Sequence, residues 1–125
     1  MTDLDRLGAG KYLLVTTFRR NGTPVPTPVW VARDGERLVF WTVTDSGKVK
    51  RIRRNGAVEV GECDMRGNPK GPSVPGTATL LDADDTERAR RLIARKYGLL
   101  GRVTMMGSRI RRGRTGTIGV SVTVA

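Results

Sequence analysis

The sequence predicts a mainly β protein: a small antiparallel barrel with helices inserted between its strands. Three observations carry this. Two tight-turn signals, Asn21-Gly22 and Asp34-Gly35, join three early runs of β-forming residues. Two later runs, Ala57–Cys63 and Val74–Leu81, have the same composition. Thr117–Val124 (TIGVSVTV) closes the chain as a strand after a helical stretch.

The first strand is expected over Lys11–Phe18 (KYLLVTTF) and the second over Pro24–Ala32. In the second, Pro24, Pro26 and Pro28 alternate, so their missing N–H groups lie on one side. That strand is therefore expected to be open along part of one edge. Such an edge serves either to dock a flat ligand or to block aggregation. The third strand, Arg37–Val43 (RLVFWTV), is apolar on both faces and is expected to be buried on both. Ser46–Asn55 reads as a short helix capped by Ser46, with Val49 and Ile52 as its apolar stripe and Asn55-Gly56 as its stop. A loop with Gly67, Pro69, Gly71 and Pro72 separates the next two strands. Asp84 is expected to open a second helix, with Glu87 as in a capping box and paired with Arg91. Ala89, Leu92, Ile93 and Tyr97 would form its inner face. Helical spacing continues over Leu99–Arg111 through Leu100, Val103, Met106 and Ile110. The predicted order is β-β-β-α-β-β-α-α-β in a single domain, residues 1–125.

Composition narrows the chemistry. The 125 residues contain no histidine and one cysteine, Cys63. That excludes a Ser-His-Asp triad, zinc sites built on His or multiple Cys, and a disulfide framework. No metal ligands and no catalytic side chain are assigned. Glu62 and Asp64 flank Cys63 and argue against a thiolate there. The lone cysteine fits a reducing compartment, and no apolar run reaches membrane-spanning length, so the expected location is cytoplasmic.

The net charge is +11, which favours an anionic partner. Five basic residues (Lys48, Lys50, Arg51, Arg53, Arg54) and no acid lie within 46–54, and ten basic residues and no acid follow Glu87. Thr42, Ser46, Lys48 and Arg51 form the best constellation. A strand leads through a short turn to a helix start, where free N–H groups and the helix dipole favour an anion. This is a candidate phosphate cradle; the same pattern also describes a Ser-capped surface helix with solvated lysines.

Four segments carry a family resemblance. They are Thr16-Thr17-Phe18-Arg19-Arg20-Asn21-Gly22-Thr23-Pro24, Thr27-Pro28-Val29-Trp30, Asp45-Ser46-Gly47-Lys48-Val49-Lys50-Arg51, and Arg95-Lys96-Tyr97-Gly98-Leu99-Leu100-Gly101. In this order they resemble the pyridoxamine 5′-phosphate oxidase-like split β-barrel superfamily, and within it the small F420-dependent members. The resemblance implies an antiparallel, homodimeric split barrel that binds the deazaflavin coenzyme F420, or alternatively FMN. It implies that Thr27, Pro28, Val29 and Trp30 lie along the cofactor ring, and that Thr42, Ser46, Gly47 and Lys48 hold its phosphate. It implies too that Lys50, Arg51 and Arg54 meet an anionic tail that FMN lacks. The chain departs from the FMN-using oxidases at Gly47, where they commonly carry Arg, and around Trp30, where they place basic residues. The implied activity is hydride transfer between F420 and an unsaturated small molecule.

Two other readings are open. A nucleic-acid module would use Ser108–Arg114, but the six aromatic residues of the chain mostly fall in core strands. A membrane-surface role for Leu99–Arg112 competes with that segment simply packing on the barrel. Neither nucleic acid nor membrane is the expected partner.

Overall fold

The computed structural model describes residues 2–112 and 116–124, with side chains for 2–98 and 116–124. Its elements in order are α1 (Asp3–Ala9), β1 (Leu13–Phe18), β2 (Pro24–Val29), β3 (Ala32–Asp34), β4 (Arg37–Val43), α2 (Gly47–Arg54), β5 (Ala57–Glu62), β6 (Val74–Leu80), α3 (Ala83–Arg112) and β7 (Thr117–Val124). All strands join one antiparallel sheet in the order β2-β1-β5-β6-β7-β4-β3.

The order of the sheet dictates its shape. β2 and β3 lie at its opposite edges, yet only Trp30 and Val31 separate them in sequence. Three Cα steps span at most about 11 Å. The sheet must therefore curl until its edges nearly meet, leaving a split barrel with its seam at Trp30–Val31.

Two elements differ from those that the sequence predicts. The expected strand Pro24–Ala32 breaks at the seam, because continuing β2 straight would carry it away from β4. An unexpected helix, α1, precedes β1. Thr2 and Asp5 cap it reciprocally: Thr2 Oγ1 accepts the Asp5 N–H at 3.1 Å, and the Asp5 carboxylate accepts the Thr2 N–H at 3.3 Å. Leu4 and Leu7 on one face are buried against the barrel.

β4 divides two cores. Leu38 and Phe40 point into the barrel with Leu13, Val15, Val60 and Val120. Val39 points the other way, toward Ala89 and Ile93 of α3. The expected double burial of this strand follows, since both its faces are covered. The inner face of α3 is as expected too, with Leu92 and Tyr97 packed beside that second core.

The cap of α3 lies two residues before its expected place. Asp82 Oδ1 accepts the Asp85 N–H at 2.8 Å, and Glu87 pairs with Arg90 instead of Arg91. Part of the late positive charge is thus spent internally. Arg88 pairs with Asp34, whose carboxyl is held below its usual range first by that hydrogen bond.

Gly98 breaks α3 into two helices with φ 67° and ψ −146°. That backbone region is essentially restricted to glycine. A Cβ there would meet nothing within 4 Å, so the cost of adding one is conformational. Gly98→Ala is expected to destabilise the protein by about 1–3 kcal/mol; an unchanged denaturation midpoint would refute it. The helical backbone continues to Arg112. The apolar stripe Leu100, Val103, Met106 and Ile110, the basic side chains of Ser108–Arg114 and the surface of Leu99–Arg112 lie outside the described residues. Among those described, no helix is long and apolar enough to cross a membrane.

Candidate anion and cofactor site

α2 places the basic cluster. Ser46 is its N-cap, accepting the Val49 N–H on its Oγ at 3.3 Å, and Asn55 ends it. Val49 and Ile52 are buried, as the apolar stripe requires. The neighbouring positions are less ordinary. Lys48 is buried too, only 8% exposed. Its ammonium donates to Thr42 Oγ1 at 3.3 Å, and among the described residues it has no carboxylate partner in an ion pair. Burial lowers its pKa, and the nearby Arg51 guanidinium lowers it further.

A buried ammonium facing a second cation and a neutral hydroxyl is costly unless an anion completes it. That donor set fits a phosphate. Thr42, Ser46, Lys48 and Arg51 gather at the N-terminus of an eight-residue helix, where the dipole adds to the attraction. Gly47 belongs to the same arrangement. A Cβ there would lie 2.8 Å from Arg51 Nη1, so the missing side chain gives the guanidinium room to lie over the helix start. Arg51 is steadied from below, its Nε donating to Thr17 Oγ1 at 2.7 Å. Thr17 is buried on β1. It was not among the expected site residues; only the sheet order brings β1 beneath α2.

The remaining expected residues fall into two groups. Lys50 is exposed on the outer face of α2. Arg54 turns back to β1, donating to the Phe18 carbonyl at 2.6 Å. Thr27, Pro28 and Val29 lie on β2, a sheet edge that among the described residues pairs only with β1. The open edge read from the alternating prolines is therefore present. All three residues and Trp30 are half-buried. Trp30 stacks on Tyr97 of α3, with ring centroids 4.4 Å apart and planes inclined by 8°.

A curled antiparallel sheet with a cationic helix start and an open, aromatic-ended edge strand defines a split-barrel protein. The chain belongs to the pyridoxamine 5′-phosphate oxidase family, whose model matches residues 5–115. Three solved structures illustrate the shared fold. A conserved hypothetical protein from Mycobacterium tuberculosis is 19% identical, with TM-score 0.73 over 99% of this chain and 81% of that one. An F420 reductase is 21% identical, with TM-score 0.64 over 100% and 95%. A flavocytochrome from Azotobacter vinelandii is 15% identical, with TM-score 0.70 over 98% and 62%. No curated protein matches the chain.

Proposed function

We propose that this protein is an F420-dependent oxidoreductase, acting as a reductase on an unsaturated conjugated small molecule. The observation that carries the reading is Lys48, a buried cation beside Thr42 and Arg51 with no carboxylate partner among the described residues. Thr42, Ser46 and Lys48 would bind the cofactor phosphate, with Gly47 leaving space for Arg51 beside it. Lys50 and Arg53, exposed on the outer face of α2, make no ion pair with the described residues and suit a polyanionic tail. Thr27, Pro28, Val29 and Trp30 would border the ring along the β2 edge. Pro24, Pro26 and Pro28 lack N–H groups, so the outward side of that edge offers carbonyl acceptors.

Bound deazaflavin supplies hydride chemistry, which needs no histidine and no protein nucleophile. The protein binds, orients and shields. Within one copy the split barrel leaves the outer side of β2 without a neighbouring strand among the described residues, so a second copy is proposed to complete the pocket. Light scattering is expected to give twice the 13.7 kDa chain mass.

Titrating the purified protein with F420 and FMN side by side tests the cofactor. F420 fluorescence is expected to change at micromolar concentration. FMN retained through purification with no F420 response would replace this reading with a flavin protein. Salt-sensitive DNA binding with neither cofactor would replace it with a nucleic-acid module.

A further inference from the structure

The barrel seam has a feature that its strands do not explain. Val31 is fully buried but stands between β2 and β3, outside both. A buried backbone N–H and C=O need partners. Both come from consecutive side chains of α3. The Val31 N–H donates to Tyr97 Oη at 3.1 Å, and the Val31 carbonyl accepts from Lys96 Nζ at 2.7 Å. Tyr97 Oη in turn donates to the Lys11 carbonyl at 2.5 Å. Lys96 Nζ also donates to the carbonyls of Gly8, at 2.9 Å, and Gly10, at 2.6 Å.

Two adjacent residues therefore tie three segments together: the end of α1, the β2–β3 link and α3. They do so one residue before the break at Gly98. The ring of Tyr97 lies flat against Trp30. Trp30 is thus fixed from two sides, by the stack on its indole and by the hydrogen bonds on the next peptide.

We propose that Lys96 and Tyr97 are positioning residues for the cofactor ring. They hold Trp30 at the seam in one orientation and cover one of its faces, leaving the rest of the indole to border the ring. This rests on the reading of Trp30 as part of the F420 site. Trp30 also packs against the second core, and the Tyr97 stack removes the remaining freedom of the indole beforehand, lowering the ordering cost of binding.

The two halves of the site make the role separable. Lys48 and Thr42 hold the phosphate without touching Tyr97, so a phosphate probe ignores the seam while the whole cofactor does not. Tyr97→Leu, Tyr97→Phe and Lys96→Met are made in a Trp41→Phe background, where Trp30 is the sole tryptophan. Affinity for F420 and for inorganic phosphate is measured by calorimetry, with Trp30 emission alongside. Tyr97→Leu is expected to weaken F420 by about tenfold, the size of one stack or hydrogen bond. It should shift Trp30 emission to the red and leave phosphate affinity unchanged. Tyr97→Phe keeps the ring and should preserve most of the stacking signature; it and Lys96→Met should each weaken F420 severalfold.

Should Tyr97→Leu fail to fold, the two milder variants decide. F420 affinity equal to the parent in both variants overturns the positioning role, as does an equal loss of phosphate and F420 affinity, which marks a merely structural staple. A parent protein that binds neither F420 nor FMN overturns the cofactor reading itself, and the positioning role with it.

Discussion

Replacing Lys48 with methionine is expected to lower cofactor affinity by about 10- to 100-fold, the size of one charge-assisted hydrogen bond, while the free protein loses no stability. The two halves of this result have one cause. In the free protein the ammonium is buried, near Arg51, with a single neutral partner in Thr42. That arrangement costs stability until a phosphate enters. Methionine keeps an unbranched buried stem and removes the charge. A structural lysine would behave in the opposite way, with stability lost and affinity kept.

The pH dependence has a definite sign. The folded-state pKa of Lys48 lies below its ordinary value of 10.5. Below the folded pKa both folded and unfolded states carry the proton, and the fold bears the full desolvation cost. As pH rises from the folded pKa toward 10.5 that cost is released, so Lys48 makes wild type relatively more stable across this alkaline window. Lys48→Met should lack the gain. Phosphate affinity should fall as the same group deprotonates. Denaturation curves at several alkaline pH values, run with and without cofactor, check both. Unchanged affinity in Lys48→Met would remove the cradle from the site.

How much of this was legible beforehand depended on range. α2 was readable nearly to the residue, because Ser46, the Val49/Ile52 stripe and Asn55-Gly56 are local signals. β7 was readable for the same reason. The break of β2 from β3 was not, since it follows from closure of the whole sheet rather than from anything in Val29–Ala32. α1 had a local signal, Thr2-x-x-Asp5 with Leu4 and Leu7 at helical spacing, but it is only seven residues long and draws its stability from the barrel. In the site, Lys48 and Ser46 are legible from their spacing. Thr17 and Tyr97 were not given roles, because their partners, Arg51 and Trp30, stand 34 and 67 residues away in sequence (51 − 17 and 97 − 30). Tyr97 was legible as core only. Its position on the inner face of α3 could be read, but not that this face meets the barrel seam.

Phe40→Ala is expected to destabilise the protein by about 3–5 kcal/mol, a large share of the roughly 5–15 kcal/mol that holds a domain of this kind together. Phe40 has no exposed surface and is the largest fully buried side chain among the described residues. It shares the barrel core with Ile52 of α2, and Thr42 follows two residues later on the same face of β4. The cavity should therefore loosen the footing of both Thr42 and α2. Phosphate binding should weaken even though Phe40 touches no ligand. Val39→Ala makes the contrast, because Val39 lies on the opposite face, in the core shared with Ala89, Ile93, Trp30 and Tyr97. That substitution should cost less, spare phosphate affinity and disturb Trp30 emission instead. Urea denaturation, phosphate calorimetry and tryptophan fluorescence on the two variants, made in the Trp41→Phe background so that Trp30 alone emits, separate these outcomes. Equal effects of both substitutions on phosphate and on Trp30 would mean that the two cores respond as one. Opposite effects would mean that a single strand, through its alternating faces, supports the anion cradle on one side and the ring wall on the other.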